Sequence, residues 1–368
     1  EAVAEARAGL ARLEEDVEPG DFNLGTGKVQ LADHLASVGE TAEALALVDA
    51  GLALLTARLA PDHSEVLGAQ MIRARILARA GRTGEALTLA RTASGQFERS
   101  MFDLAASETE RIALSRVLPT AFADQIEIAL AAGSAEDALH GAQLFLLSEL
   151  AVPNARITAA AIARSQGLAD QVAALEQARE EAANRARALT RAQADGSADA
   201  ADLTVALTAA QAKADAAQAA LHSAFPGYTA LARPHVPTLA ELQAVLGERE
   251  MLVLPLALPE RAVTLAVTRT GVIWDSAPLA PPALAALAAR VQDSARQTGS
   301  FDSEAAHALF RAVFPGVVGA ALTQADRLVF PASGYLARLS PALLLSAPLG
   351  ADQSLADAAY LVRTHAVR

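Results

Sequence analysis

A short pattern recurs three times in the first half of the chain, and it limits the possible folds more than any single residue does. The segments GETAEALAL (39–47), GRTGEALTL (81–89) and GSAEDALHG (133–141) each carry a glycine, an acidic residue four positions later, and then Ala-Leu. Gly39 to Gly81 is 42 residues and Gly81 to Gly133 is 52. The residues before the glycine repeat as well, since Ala32 and Leu35 correspond to Ala74 and Leu77. Self-similarity at such a period marks stacked units, each too small to bury its apolar face alone. Each unit therefore predicts a helix, a glycine-bearing turn and a second helix. Ala32 and Ala44 in one unit, and Ala74 and Ala86 in the next, fall where the two helices of a pair would come closest.

This pattern resembles tetratricopeptide repeats, in a longer form of 42 residues per unit with PDHSEV (61–66) between units; it covers roughly 24–150. Residues 1–18 look like the second helix of an earlier unit. In that family the first helix of each pair lines a concave groove that takes a peptide. Counting from the turn glycines puts Asp33, Ser37, Arg75, Arg79 and Glu127 on that face, as candidate residues for binding a protein or peptide partner. Charges at these positions also suit an ordinary solvated helix face.

From 168 to 224 the period becomes heptad, as in a coiled coil. Leu168, Val172, Leu175, Ala182, Ala186 and Leu189 form one stripe; Leu203, Leu207, Ala210, Ala214, Ala217 and Leu221 form the other. ADGSAD (194–199) reads as a turn, so two long helices should pack antiparallel. An alanine seam buries little, which makes this hairpin a strut leaning on a neighbour, or else a site for a partner helix. Pro and Gly in PGYTALARPHVP (226–237) mark a boundary. Beyond it, 250–259, 261–270 and 271–277 read as strands of a β-meander. Helices at 282–299 and 303–314 follow, the second capped by Asp302 or Ser303. A strand at 327–331 and another at 359–367 complete an α/β region.

The succession LAELQAVLGEREMLVLPLAL, AVTLAVTRTGVIW, ALFRAVFPGVV, DRLVFPASGYLARLSPALLL and AYLVRTHAVR resembles the first half of a CHAT domain, a caspase-like domain found fused to tetratricopeptide repeats. The family pattern of a strand ending in Pro-x-x-Gly-x-Leu, then Leu-Pro-x-x-Leu, is filled by Pro331, Gly334, Leu336, Leu339, Pro341 and Leu343, with Ser340 inserted before the proline. The resemblance implies a multidomain chain: tetratricopeptide-like helical repeats at 1–150, an alanine-rich antiparallel hairpin at 151–225, and an α/β caspase-like subdomain at 226–368. In such a fold the 326–345 stretch is scaffold, with Gly334 at positive φ in its turn. The resemblance further implies the partner-binding and scaffold portion of a cysteine endopeptidase whose His/Cys dyad lies outside these residues. The alternative is a non-catalytic repeat scaffold with a degenerate caspase-like domain.

Composition excludes several other functions. The chain of 368 residues has no cysteine, hence no disulfide, no thiolate zinc site and no cysteine nucleophile of its own. His365 is followed by Ala366, not by the glycine of the family's His-Gly pair, so no catalytic role is carried onto it. Ser333 lacks the spacing of a nucleophile elbow. The seven histidines show no paired spacing for a metal, and no glycine-rich loop joins a strand to a helix, so no metal and no cofactor are expected. A formal net charge of −12 argues against nucleic acid, which recruits clustered Lys and Arg. No apolar run reaches the roughly 18 residues of a membrane span. The chain opens on Glu1 with no signal-peptide pattern and reads as a processed product; the cytoplasm is the expected compartment, and the periplasm is equally compatible. An apolar strand at 359–367 would leave an edge open to pairing in a homodimer.

The small residues of the repeat carry the first prediction. Ala86→Leu should overpack the contact between paired helices and cost about 1–3 kcal/mol, read as a lower urea midpoint; an unchanged midpoint would remove the pairing.

Overall fold

The computed structural model describes residues 2–102, 108–148, 152–194, 197–227, 235–297, 301–331, 336, 339–350 and 352–368. Helix predominates among them, and a mixed five-stranded sheet lies in the C-terminal part. Contacts divide the chain into two compact units. One comprises Glu1–Ser134 and Leu147–His235; the other comprises Ala135–Leu146 and Val236–Arg368.

The first unit contains α1 (Ala2–Asp16), α2 (Phe22–Ser37), α3 (Thr41–Thr56), α4 (Ser64–Arg79), α5 (Thr83–Met101) and α6 (Glu108–Ala131). Helix α2 packs against α3 and α4 against α5, as the repeat requires, and α2, α4 and α6 lie side by side. The turn glycines explain the reversal. Gly39, Gly81 and Gly133 have φ of +90°, +77° and +72°, a conformation that a residue with a Cβ resists. Each closes its helix with the same two hydrogen bonds. Glu40 N–H donates to the Leu35 carbonyl at 3.0 Å and Gly39 N–H to Ala36 at 3.3 Å. Arg82 to Leu77 (2.9 Å) with Gly81 to Ala78 (3.0 Å), and Ser134 to Ala129 (2.8 Å) with Gly133 to Leu130 (3.1 Å), repeat this cap.

Small residues set the depth of the pairing. Ala32, Ala44, Ala74 and Ala86 are all fully buried. The tightest approach is between Gly25 of α2 and Gly51 of α3. A methyl group on Gly51 would stand 2.7 Å from the Gly25 carbonyl oxygen and 2.8 Å from Val29 Cγ2. Helix α1 packs on α2, burying Leu10, and Lys28 reaches back to Glu14 at 2.8 Å.

The same unit contains α8 (Val152–Ser165), α9 (Ala169–Ala194) and α10 (Ala200–Ala224). Helices α9 and α10 form the expected hairpin. Lys213 bonds Glu181 at 2.6 Å, each lying 13 residues from the end of its helix at the turn, which is the register of an antiparallel pair. The seam is thin: Ala210 and Ala214 are buried, whereas Leu203 and Leu207 are only partly so. Support comes from α8, whose Ala159, Ala160 and Ala163 join Val172, Leu175 and Leu221 in one apolar cluster. Gly167 between α8 and α9 has φ +82° and carries the cap bonds Leu168 to Ala163 and Gly167 to Arg164, both 3.1 Å. It is a fourth copy of the repeat's turn.

The second unit is built on strands β1 (Glu250–Ala257), β2 (Ala262–Thr268), β3 (Gly271–Ala277), β4 (Arg327–Val329) and β5 (Ala366–Val367), in the order β3-β2-β1-β4-β5. The first three form the expected antiparallel meander; β4 runs parallel to β1, and β5 parallel to β4. Helix α7 (Ala135–Leu146) packs on β3 and α11 (Leu239–Val245) on β2, while α12 (Pro281–Ala295), α13 (Ser303–Val313) and α14 (Gly316–Ala321) complete the unit. Every residue of β2 but the last is buried, so both faces of that strand are covered. Pro255 of β1 lies past the last β1–β4 pair, Leu252 with Val329, where a missing N–H costs that ladder nothing. Asp302 caps α13 as expected, accepting from Ala305 N–H at 2.9 Å.

The structure departs from the sequence expectations at two strands. The strand expected at 359–367 is instead a 3-10 turn, Leu361–Arg363, followed by the two-residue β5. Leu361 is fully buried, its N–H donates to the Leu344 carbonyl at 2.8 Å, and the turn folds it into the core, so the apolar run serves burial and not pairing. The edge on which a homodimer was expected to pair is accordingly two residues long. The strand expected at 327–331 stops at Val329, and Phe330 N–H donates instead to the Arg368 carbonyl at 3.0 Å. Ser333 and Gly334, with the expected positive φ, lie outside the described residues; Leu336, Leu339, Leu344 and Leu345 are buried in the core of this unit. Among the described residues no single helix is long and apolar enough to cross a membrane.

The Gly25–Gly51 contact predicts opposite signs for two glycine substitutions. Gly51→Ala should destabilise by about 1–2 kcal/mol, the clash exceeding the gain in helix propensity. Gly68→Ala on α4, where nothing stands within 4 Å of the new methyl, should stabilise by up to about 1 kcal/mol. Urea denaturation of both decides; two shifts of the same sign would refute the close approach.

Candidate functional site

Because α2, α4 and α6 are each first helices of a repeat, residues at equal offsets before the turn glycines share a face. Asp33 and Arg75 both lie six residues before their glycine, and the structure brings them together: Arg75 Nη2 donates to Asp33 Oδ1. Arg75 Nη1 donates to both carboxylate oxygens of Asp124 on α6, at 3.0 and 2.9 Å. One guanidinium therefore spans three helices. The counterpart of Arg75 by offset is Glu127, yet the contact goes to Asp124, three residues earlier and on the same helix face.

Burial makes this set unequal. The side chain of Asp124 is 13% exposed, that of Arg75 23% and that of Asp33 36%. Burial pushes the Asp124 carboxyl above the usual aspartate range, more than the charge and hydrogen bonds of Arg75 pull it down; Asp33 adds to the rise and Arg79 opposes it. Burial also disfavours charge on Arg75, but Asp124 and Asp33 outweigh that cost and hold its pKa above the ordinary value. Arg79 is exposed on the last turn of α4, and Ser37 is exposed at the end of α2, its hydroxyl donating to the His34 carbonyl at 2.6 Å. Glu127 is half-buried on α6. The face thus divides in two: Asp33, Arg75 and Asp124 lock the helices to one another, while Ser37 and Arg79 point outward. Asp124 is the residue missed in sequence, although an acidic side chain one turn before Glu127 could have signalled it.

Two histidines of the second unit are occupied structurally. His365 Nε2–H donates to the Leu322 carbonyl at 3.1 Å, and its Nδ1 lies 2.8 Å from Thr364 Oγ1. His307 Nδ1–H donates to the Leu345 carbonyl at 3.0 Å. Among the described residues no three His, Asp or Glu side chains are grouped to hold a metal.

Removing the bridging cation should reveal the charges it holds. Arg75→Met leaves two carboxylates facing each other, one deeply buried, and should cost about 2–3 kcal/mol at pH 7. A carboxyl whose folded pKa is raised is penalised only where it is charged. The penalty is absent below the unfolded value of about 3.9 and grows as pH rises through that value to the folded one. The difference between variant and parent in urea should therefore shrink from pH 7 to pH 4; a difference independent of pH would show that Arg75 acts through packing alone.

No protein-family model matches the chain, and no curated protein matches it in sequence.

Proposed function

We propose that this chain binds a protein partner along the face of α2, α4 and α6 and serves as the partner-binding and scaffold portion of a caspase-like cysteine peptidase of the CHAT type. The observation that carries the binding reading is the division of that face. Its inner charges, Asp33, Arg75 and Asp124, are paired with one another and hold three first helices in register, which leaves Ser37 and Arg79 as exposed groups on a rigid support. Recognition on such a face is a matter of charge and shape supplied by a rigid support, and it asks for no cofactor.

The peptidase part of the reading rests on the resemblance of the C-terminal segments, together with the order of the elements: a helical-repeat array, an antiparallel hairpin, then strands and helices of a mixed sheet. These 368 residues contain no thiol, so on this reading they position and recruit, and the nucleophile belongs to other residues. A non-catalytic scaffold would use the same face in the same way.

Site-specific photocrosslinking tests the face directly. With p-benzoylphenylalanine replacing Ser37 or Arg79 in cells that make the protein, a discrete protein adduct should form. The same group at Val205, an exposed position on α10, should give none, and Arg79→Glu should suppress the adduct formed from position 37. Equal labelling from 37, 79 and 205, or none from 37 and 79, would rule this face out.

A further inference from the structure

Away from that face, the first unit contains an open cleft of about 690 Å³, walled by the start of α4, the last turns of α5, part of α6 and the C-terminal half of α9. Its floor is apolar. Leu67 and Phe97 are buried beneath it, and Leu114 and Val117 of α6 contribute a partly exposed side.

The α9 wall carries two arginines whose hydrogen-bonding capacity is not used up. Arg187 Nη2 donates to Asn184 Oδ1 at 2.7 Å and to Glu180 Oε1 at 3.2 Å, which fixes the guanidinium, while its Nη1 is buried with no hydrogen-bond partner. That nitrogen is closed off from the cleft, so Arg187 brings its charge to the wall while the accessible donors belong to its neighbour. One turn along, Arg191 bonds through Nε to the Arg187 carbonyl at 3.3 Å, which leaves both of its Nη groups available among the described residues. On the opposite wall His63 accepts from Glu65 N–H through Nδ1 at 3.2 Å, so the proton of its neutral ring is on Nε2, and Asp62 and Glu65 stand beside it.

These groups select among anions. Two arginines attract negative charge, but Asp62, Glu65 and Glu180 repel a second charge on the same ligand, which disfavours a phosphate dianion and suits a single carboxylate. The apolar floor requires that the carboxylate be attached to an apolar body. We propose that this cleft binds a small amphipathic carboxylate, with its carboxylate on the Arg191 guanidinium, beside the charge of Arg187, and its apolar body over Leu67, Phe97, Leu114 and Val117. This is a small-molecule site, independent of the protein-binding face.

Isothermal titration calorimetry of the full chain with sodium decanoate, below its micellar concentration, tests the site against two controls. Decyltrimethylammonium has the same apolar chain with the opposite charge, and inorganic phosphate has the anion without the chain. The expected result is saturable one-to-one binding of decanoate alone, weakened about tenfold or more by Arg191→Gln. Arg164→Gln, which removes an arginine paired with Glu176 outside the cleft, should leave it unchanged. Arg191 is exposed, so Arg191→Gln should keep the parent's circular dichroism spectrum. The proposal is overturned if decanoate does not saturate, if the cation or phosphate binds as well as decanoate, or if the folded arginine variant binds as the parent does.

Discussion

The glycine with positive φ at the end of a helix is the constraint on which the rest of the structure depends. At Gly39, Gly81, Gly133 and Gly167 the chain leaves the helix through the same pair of backbone bonds. The residue four positions before each glycine, Leu35, Leu77, Ala129 or Ala163, accepts one of those bonds through its carbonyl and is itself buried. The residue five positions after, Ala44, Ala86, Ala138 or Val172, is buried too. At Gly39, Gly81 and Gly167 a cap made only of backbone thus fixes the phase of the helices on both sides of the turn. Everything placed at a constant offset from the glycine then lands on a constant face, and that is how Asp33 and Arg75, 42 residues apart, come within bonding distance.

Adjacent repeats share one apolar cluster that runs from Leu31 and Leu55 to Val66 and Ile76, and polar contacts add to it. Arg73 of α4 bonds Asp49 of α3 at 2.6 Å, and Arg75, two residues on, binds Asp33 and Asp124. Exposed pairs such as Arg73–Asp49 contribute little. The Arg75 set differs because it is sheltered: a charge withdrawn from water must find its partner in one geometry, and sliding α4 against α2 or α6 would strand it. The set therefore acts on register more than on stability, and it does so on the same face that presents Ser37 and Arg79.

How far sequence reveals this structure depends on what each element asks of its residues. The turn at positive φ admits few residue types, so three glycines with regular flanks exposed the repeat. The fourth, Gly167, escaped because Gln171 stands where the other copies have an acid, and Val172-Ala173 where they have Ala-Leu; the backbone cap needs neither. The meander of β1 to β3 was legible because β-branched residues between short turns suit little else. The run AYLVRTHAV was misread for the reverse reason, since an apolar Leu361 can be buried from a strand or from a 3-10 turn and the residue type does not distinguish them. At the charged face, the shared side of Asp33 and Arg75 followed from offsets alone. Asp124 did not, because an arginine side chain reaches over a full helical turn and selects its partner by shelter as well as by phase.

The imidazoles of the second unit bear on what its sheet can do. A histidine that acts as general acid or base presents a ring nitrogen to a reacting group, and its other nitrogen is held by an orienting partner. His365 instead spends Nε2–H on the Leu322 carbonyl and has the hydroxyl of Thr364 against Nδ1, so both nitrogens are engaged by its own fold. His307 ties Nδ1–H to the Leu345 carbonyl, with its ring stacked 6.3 Å from that of Phe310. The His307 contact joins a helix to an irregular segment, and the His365 contact adds a second donor to the Leu322 carbonyl, which also accepts from Ala325 N–H at 3.0 Å. With Leu336, Leu339, Leu344 and Leu345 drawn into the same core, the long connection from β4 to β5 is held at its described points by burial and by these two rings. His307 and His365 are thus fasteners of irregular chain.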